Sequence, residues 1–191
     1  MKQVLFIRHG ATNGNLQHRY IGRTDEPLCP HGQALAAALA GVEADRIIVS
    51  PMLRTRQTAE LMFPGRAYEI VDRLRETDFG SFEGKTAEEL KHDPDYTEWV
   101  NGGCTGPIPG GEAVADFKAR CRDAFLEVMT ASPEGSTTAF VIHGGCIMAI
   151  LEAFFRPKGD FYSFYLPNCG CFQAQMDESG SVLTVVSGEN L

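Results

Sequence analysis

Short apolar runs along this chain end abruptly in polar, glycine-bearing segments. Val4-Leu5-Phe6-Ile7 is continuously apolar, the pattern of a strand buried on both faces, and it breaks into Arg8-His9-Gly10-Ala11-Thr12-Asn13-Gly14-Asn15. Arg46-Ile47-Ile48-Val49 followed by Ser50, and Thr137 to Ile142 followed by His143-Gly144-Gly145, repeat that plan. Between the runs lie helical patterns. Pro30 opens an alanine- and leucine-rich segment, Gln33 to Ala40, that Gly41 ends; Pro51 starts a second helix through about Met62. Ala113 to Met129 places Val114, Phe117, Cys121, Phe125 and Val128 at helical spacing, and a further helix is expected from about Cys146 to Phe155.

Arg66 to Val71 predicts another strand, and Phe161 to Leu166, Cys171 to Met176 and Val182 to Val186 predict three closing ones, with turns at Pro167-Asn168 and Glu178-Ser179-Gly180. Leu74 to Gly84 reads as a loop, and Thr86-Ala87-Glu88-Glu89 has the hydroxyl-then-acid spacing of a capping box. From about His92 to Glu112, prolines and glycines interrupt any long element. Residues 85–112 are therefore expected to form a helical and loop excursion over the sheet's carboxyl edge. Helices between parallel strands, followed by a hairpin edge, predict an α/β fold: a three-layer sandwich whose mixed, mostly parallel sheet carries helices on both faces. A single domain over residues 1–191 is expected.

Composition narrows the partners. The chain is 43% hydrophobic and 22% charged, enough for one well-cored domain, and its net charge of -8 argues against a nucleic-acid or anionic-membrane surface. Any anion site must be local. The apolar run at Met1 to Arg8 is too short for a signal peptide and no later stretch would span a bilayer, so a cytoplasmic location is expected. The six cysteines are scattered, and Cys169-Gly170-Cys171 lacks the two-residue spacer of redox and zinc motifs, so free thiols are expected. No trio of His, Cys or carboxylate residues has ligand spacing on one element; neither a metal ion nor a cofactor is expected.

Three strand ends supply like chemistry: Arg8-His9-Gly10, Ser50 through Arg54, and His143-Gly144. If the strands are parallel neighbours, two imidazoles and two guanidiniums meet at one sheet edge. Such a pocket suits a phosphoryl group, whose oxygens guanidinium forks match bidentately. Taken singly, Arg54 could be a surface arginine like Arg56, Glu76 an ordinary loop acid like Asp78, and His143 a core histidine. His18, His31 and His92 have no such support and read as surface or loop residues.

The motifs, in order, resemble those of the histidine phosphatase (phosphoglycerate mutase-like) superfamily from Phe6 to about Leu151. Arg8-His9-Gly10 with Asn15 is similar to the family's opening motif, and Gly22, Thr24-Asp25 and Pro27-Leu28 with Gly32 to its substrate loop. Ser50-Pro51-Met52-Leu53-Arg54 with Gln57-Thr58-Ala59 resembles the second arginine motif, Leu74-Arg75-Glu76 with Gly80 and Glu83-Gly84 the acid loop, and His143-Gly144-Gly145 the second histidine. The resemblance implies that His9 attacks phosphorus and becomes a phosphohistidine that water hydrolyses. It further implies that Arg8, Arg54, His143 and Asn15 hold the phosphoryl oxygens, that Gly22, Thr24 and Gly144 line the substrate site, and that Glu76 protonates the leaving oxygen. For His9 to present a bare ring nitrogen, its other nitrogen should be tied to a backbone carbonyl, with Arg8 and Arg54 disfavouring protonation. Two residues depart from the pattern. Ala11 stands where many members carry Glu, and Cys29 where Thr often caps the helix, which should cost the cap ~0.5–2 kcal/mol unless water or backbone substitutes.

Within the family, Glu76 to Thr86, Tyr96, Trp99 and Pro109-Gly110-Gly111-Glu112 look most like the α-ribazole phosphatase branch and the broad small-molecule phosphatases near it. His92 to Glu112 contains no Lys or Arg, so a doubly anionic intermediate would be held poorly and hydrolysis should exceed mutase activity. Tyr96 and Trp99 could stack on a ring-bearing substrate or pack the excursion onto the domain. The expected partner is a small-molecule phosphate ester, with no nucleic acid and no membrane, bound by a monomer or homodimer. A phosphoglycerate mutase and a non-catalytic phospholigand-binding module are the alternatives.

Overall fold

Strands apolar on both sides need cover on both faces, and the intervening helices provide it. A computed structural model describes residues 1–187; residues 188–191 of the expected domain lie outside them. In chain order the elements are β1 (Lys2–Arg8), α1 (Asn13–Leu16), α2 (Pro30–Ala38), β2 (Arg46–Val49), α3 (Leu53–Met62), β3 (Glu69–Ile70), α4 (Ala87–Leu90), α5 (Pro94–Asn101) and α6 (Val114–Ala131). They are followed by β4 (Thr137–Ile142), α7 (Gly144–Phe154), β5 (Cys171–Met176) and β6 (Leu183–Ser187). The strands form one 6-stranded sheet in the order β3-β2-β4-β1-β5-β6. The pairs among β3, β2, β4 and β1 are parallel, and β5 adds antiparallel to β1 and to β6. This is the mixed α/β sheet expected.

Alternate side chains divide the core. Val4, Phe6, Ile48, Phe140 and Ile142 pack on one face against Phe117, Phe125 and Ile147 of α6 and α7. Leu5, Ile7, Ile47, Val49 and Val141 pack on the other against Ala36 of α2 and Ala59 and Met62 of α3. The chain leaves β1 toward β2 on one side and leaves β4 toward β5 on the other. The crevice between the carboxyl ends of β1 and β4 is therefore the sheet's topological switch point, where open α/β sheets bind ligands.

Three expectations need correction. Phe161 to Leu166 is not a strand: Phe161–Phe164 forms a 3-10 turn, with Ser163 donating through N and Oγ to the Asp160 carbonyl. Its aromatics recur at i and i+3, so Phe161 and Phe164 face the same core, a three-residue period where a strand needs two. The strand expected over Arg66 to Val71 pairs with β2 only at Glu69–Ile70, as a short sheet edge. Inside the excursion, Pro94 and Gly102 predict breaks, yet α5 forms between them. They bracket the helix instead: Asp93 Oδ1 accepts from the Asp95 and Tyr96 N–H groups, Pro94 occupies the first turn, and Gly102 is the C-cap.

The Thr86 capping box forms as expected, with Thr86 Oγ1 accepting from Glu89 N at 3.1 Å and Glu89 Oε2 from Thr86 N at 2.9 Å. Phe82, Leu90, Tyr96, Trp99 and Ile108 make a separate apolar cluster beneath the excursion. Cys29 does cap α2, its Sγ accepting from Gly32 N at 3.4 Å, a weaker acceptor than the hydroxyl it replaces. Ala11 is buried, and its carbonyl accepts from Cys29 N at 2.9 Å. Gly32 permits this contact, because a Cβ there would lie 2.2 Å from the Ala11 carbonyl oxygen. Helix propensity favours alanine over glycine by ~1 kcal/mol. The clash reverses the sign: Gly32→Ala should destabilise the fold by about 1–3 kcal/mol, read as a lowered urea midpoint. A raised midpoint would mean that α2 can slide away from Ala11 freely.

Candidate active site

Parallel pairing places the two histidine motifs, at the ends of β1 and β4, side by side. Arg8 lies opposite Ile142, and the His9 N–H donates to the Ile142 carbonyl at 3.0 Å, so His9 and His143 emerge adjacent from β1 and β4. Their ring centroids are 5.2 Å apart, edge to face. His9 Nδ1 lies 2.7 Å from the Gly10 carbonyl oxygen. A carbonyl only accepts, so Nδ1 carries the proton and Nε2 is a bare lone pair without a protein partner among the described residues. His143 Nε2 shares a 2.7 Å hydrogen bond with Ser50 Oγ at the end of β2.

Arg54, on the first turn of α3, is 1% exposed. Its Nη1 and Nη2 donate to the Thr24 and Gly22 carbonyls, each at 2.8 Å. Arg8 Nη1 donates to the Leu166 carbonyl at 2.7 Å, and its guanidinium carbon lies 5.3 Å from the Tyr165 ring centre. Among the described residues neither arginine forms an ion pair with a carboxylate. Neutral carbonyls orient both guanidiniums without cancelling their charge. Burial first, then the Arg54 and Arg8 charges, push His9 well below its ordinary pKa; burial and Arg54 do the same to His143. Both rings are neutral at pH 7.

Glu76 approaches from the loop after β3. Its Oε2 accepts from Gly145 N in the first turn of α7 at 3.0 Å, and its Oε1 from Thr77 N at 3.1 Å. A Cβ on Gly145 would lie 2.3 Å from Glu76 Oε1, and one on Gly144 3.3 Å from Arg8 Nε, so the two glycines let both side chains close on the helix start. The remaining expected residues stand one step back. Gly22 and Thr24 offer their carbonyls to Arg54, while the Thr24 hydroxyl and both N–H groups bind Glu83 Oε1. Asn15 Oδ1 accepts from Thr12 N and from Asn168 Nδ2, each at 3.2 Å.

Ser50 and Glu83 enter the sequence analysis only as members of motifs, with no role of their own, and Asn168 only as a turn residue. Asn168 also donates to the His9 carbonyl at 3.0 Å and so ties the chain after the 3-10 turn to the motif at β1. No local spacing signals that link. His18, His31 and His92 are exposed, as expected, and all six cysteines are free thiols. Tyr96 packs inside the excursion, its hydroxyl 2.9 Å from that of Tyr20, whereas Trp99 packs there and also borders the cavity.

That cavity, about 390 Å3, reaches Arg8, Glu76, Gly144 and Gly145 at its inner end and is walled by Tyr20, Phe79, Trp99, Phe161, Tyr162 and Tyr165. Its other cation, Lys118, is paired with Glu152 at 2.7 Å. Among the described residues no group of three or more His, Cys, Asp or Glu side chains is arranged to hold a metal ion, and no helix is long and apolar enough to cross a membrane.

Comparison with known proteins finds relatives by sequence and by fold. The chain is 32% identical over 190 residues, covering 94% of it and 87% of the relative, to the probable phosphoglycerate mutase GpmB of Escherichia coli O1:K1 / APEC. The crystal structure of a phosphoserine phosphatase from Entamoeba histolytica in complex with 3-phosphoglyceric acid superposes with a TM-score of 0.83 at 25% identity, over 98% of this chain and 96% of that one. The α-ribazole phosphatase of Shigella flexneri shares the fold, with a TM-score of 0.82 at 23% identity over 96% and 95% of the two chains. The family model for the histidine phosphatase superfamily (branch 1) matches residues 4–187, and the chain belongs to that superfamily.

Proposed function

We propose that the chain hydrolyses small-molecule phosphomonoesters through a phosphohistidine on His9. The observation that carries this reading is the His9 ring, locked through Nδ1 to the Gly10 carbonyl, with Nε2 bare beside Arg8, Arg54 and His143. In the first step Nε2 bonds to phosphorus as the P–O bond to the alcohol breaks, and Glu76 supplies the alcohol's proton. In the second, Glu76 takes a proton from water as that water attacks phosphorus and releases His9 and phosphate. Arg8, Arg54, His143 and Asn15 hold the phosphoryl oxygens. Fixed positive charge and positioning account for most of the catalysis in a loose phosphoryl transition state, so no step is assigned to a metal. Gly144 serves by letting Arg8 approach, and Gly22 and Thr24 by holding Arg54.

For the substrate, we read the aromatic cavity as a site for an uncharged ring-bearing alcohol, α-ribazole 5′-phosphate being the first compound to test. With Lys118 committed to Glu152 and no Lys or Arg from His92 to Glu112, little is left to clamp a second anionic group. That favours hydrolysis. The relatives named as phosphoglycerate mutases make mutase activity the second reading.

Three outcomes are expected. Labelled phosphate should be trapped on wild-type protein during turnover and be absent from His9→Ala; equal labelling of both would place the nucleophile elsewhere. Across α-ribazole phosphate, phosphoglycerates, sugar phosphates and phosphopeptides, with His9→Ala as blank, α-ribazole phosphate should have the highest kcat/KM. A flat panel removes that substrate, and a mutase rate above hydrolysis removes the hydrolase assignment. Stability should also fall as pH drops below 6.5, because the unfolded chain then protonates both histidines while the folded chain keeps them neutral. The loss approaches at most about 1.4 kcal/mol per pH unit per ring. Urea midpoints at pH 7 and 5.5 check this, and His143→Gln should flatten the difference.

A further inference from the structure

Arg120 lies on α6, outside the phosphate pocket, yet all five of its N–H donors are engaged. Nε and Nη2 hold the two carboxylate oxygens of Glu112 at 2.6 and 2.7 Å. Nη1 donates to the Arg73 and Arg75 carbonyls, both at 2.7 Å, and Nη2 also reaches the Glu76 carbonyl at 3.1 Å. One planar side chain thus ties three carbonyls of the segment carrying Glu76 to α6. Its partner Glu112 closes the excursion and donates its own N–H to the Asp78 carbonyl at 3.0 Å, on the far side of the same loop. The two side chains are 18% and 21% exposed, so these charge-assisted bonds operate largely out of water. From the opposite side the Glu76 carboxylate is held by the Gly145 and Thr77 N–H groups. Its backbone and its carboxylate are therefore fixed from two independent elements.

We propose that Arg120, with Glu112, is a positioning residue for Glu76: it sets the reach of that carboxyl toward the leaving oxygen and links the reach to the seating of the excursion. The proposal rests on the reading of Glu76 as proton donor. A displacement of an ångström in a positioned group costs on the order of 10²-fold in rate. Lysine cannot substitute, because a single ammonium point charge with three donors cannot span a carboxylate and three carbonyls held in a planar fork.

Proton donation matters in proportion to the basicity of the leaving oxygen, which provides a readout that general loosening of the fold would not imitate. Hydrolysis of p-nitrophenyl phosphate, whose alcohol leaves as a stable anion, is compared with that of an unbranched alkyl phosphate for wild type, Arg120→Lys, Glu112→Gln and Glu76→Gln. Both Arg120→Lys and Glu112→Gln should lose about 10–100-fold in kcat/KM on the alkyl ester, since kcat/KM reports only the steps through phosphoryl transfer to His9. On p-nitrophenyl phosphate kcat/KM should stay within about threefold, while any loss in the second step, where Glu76 takes the proton of water, lowers kcat on the two esters alike. Glu76→Gln should show the same selectivity more strongly. Equal losses in kcat/KM on both esters, or none on either, in Glu112→Gln with an unchanged melting temperature would overturn the proposal, even if Arg120→Lys fails to fold. If Glu76→Gln discriminates while the other two do not, only the positioning role falls. If Glu76→Gln treats both esters alike, the proton-donor reading falls and takes this proposal with it.

Discussion

The chemistry of this chain depends on the parallel pairing of β1 with β4. The hydrogen bond from His9 N to the Ile142 carbonyl continues the ladder one residue past the strand end and sets two histidines from opposite parts of the chain 5.2 Å apart. The register cannot slip by one residue, because Phe6 and Phe140 would exchange faces with Ile7 and Val141 and both cores would be lost. Two apolar cores thereby fix the spacing of two polar rings. Placing that pair at the switch point leaves a crevice above it, since the connections after β1 and β4 diverge to opposite sides of the sheet.

Concentrating two guanidiniums around two buried imidazoles costs stability, and the structure offsets the cost with backbone carbonyls instead of carboxylates. Gly22, Thr24 and Leu166 satisfy part of each arginine while leaving its charge uncompensated by a direct ion pair. The same arrangement keeps His9 neutral, since protonation would add a third cation to a desolvated site. An anion entering the crevice would relieve this repulsion. Ala11 and Cys29, the two departures from the family pattern, lie under the α2 contact and leave these groups unchanged.

The loops outside the sheet are held by polar side chains that each span several backbone groups. Glu83 gathers the Gly22 and Thr24 N–H groups, Arg120 gathers the carbonyls of residues 73, 75 and 76, and Asn168 joins the His9 carbonyl to Asn15. Segments without regular secondary structure still have backbone groups to satisfy, and a few long side chains do that here while fixing the loops relative to the sheet. The excursion is held separately by its aromatic cluster, which puts Trp99 at the cavity wall and Tyr96 behind it.

The amino-acid sequence by itself determined β1, β2, β4, β5 and β6, the long helices and the fold class, because period-2 and period-3.6 patterns are local. It misplaced elements where residue types mislead. The aromatics of Phe161 to Phe164 look like strand formers but pack at intervals of three, and Pro94 and Gly102 look like breakers but delimit α5. Tertiary structure alone decided that Arg54 is buried rather than exposed, held by the Gly22 and Thr24 carbonyls, and that Ser50, Glu83 and Asn168 hydrogen-bond to the residues around it. Each of these rests on a hydrogen bond between segments far apart in sequence, formed only after the sheet has set their distance, and no spacing along the chain encodes such a contact.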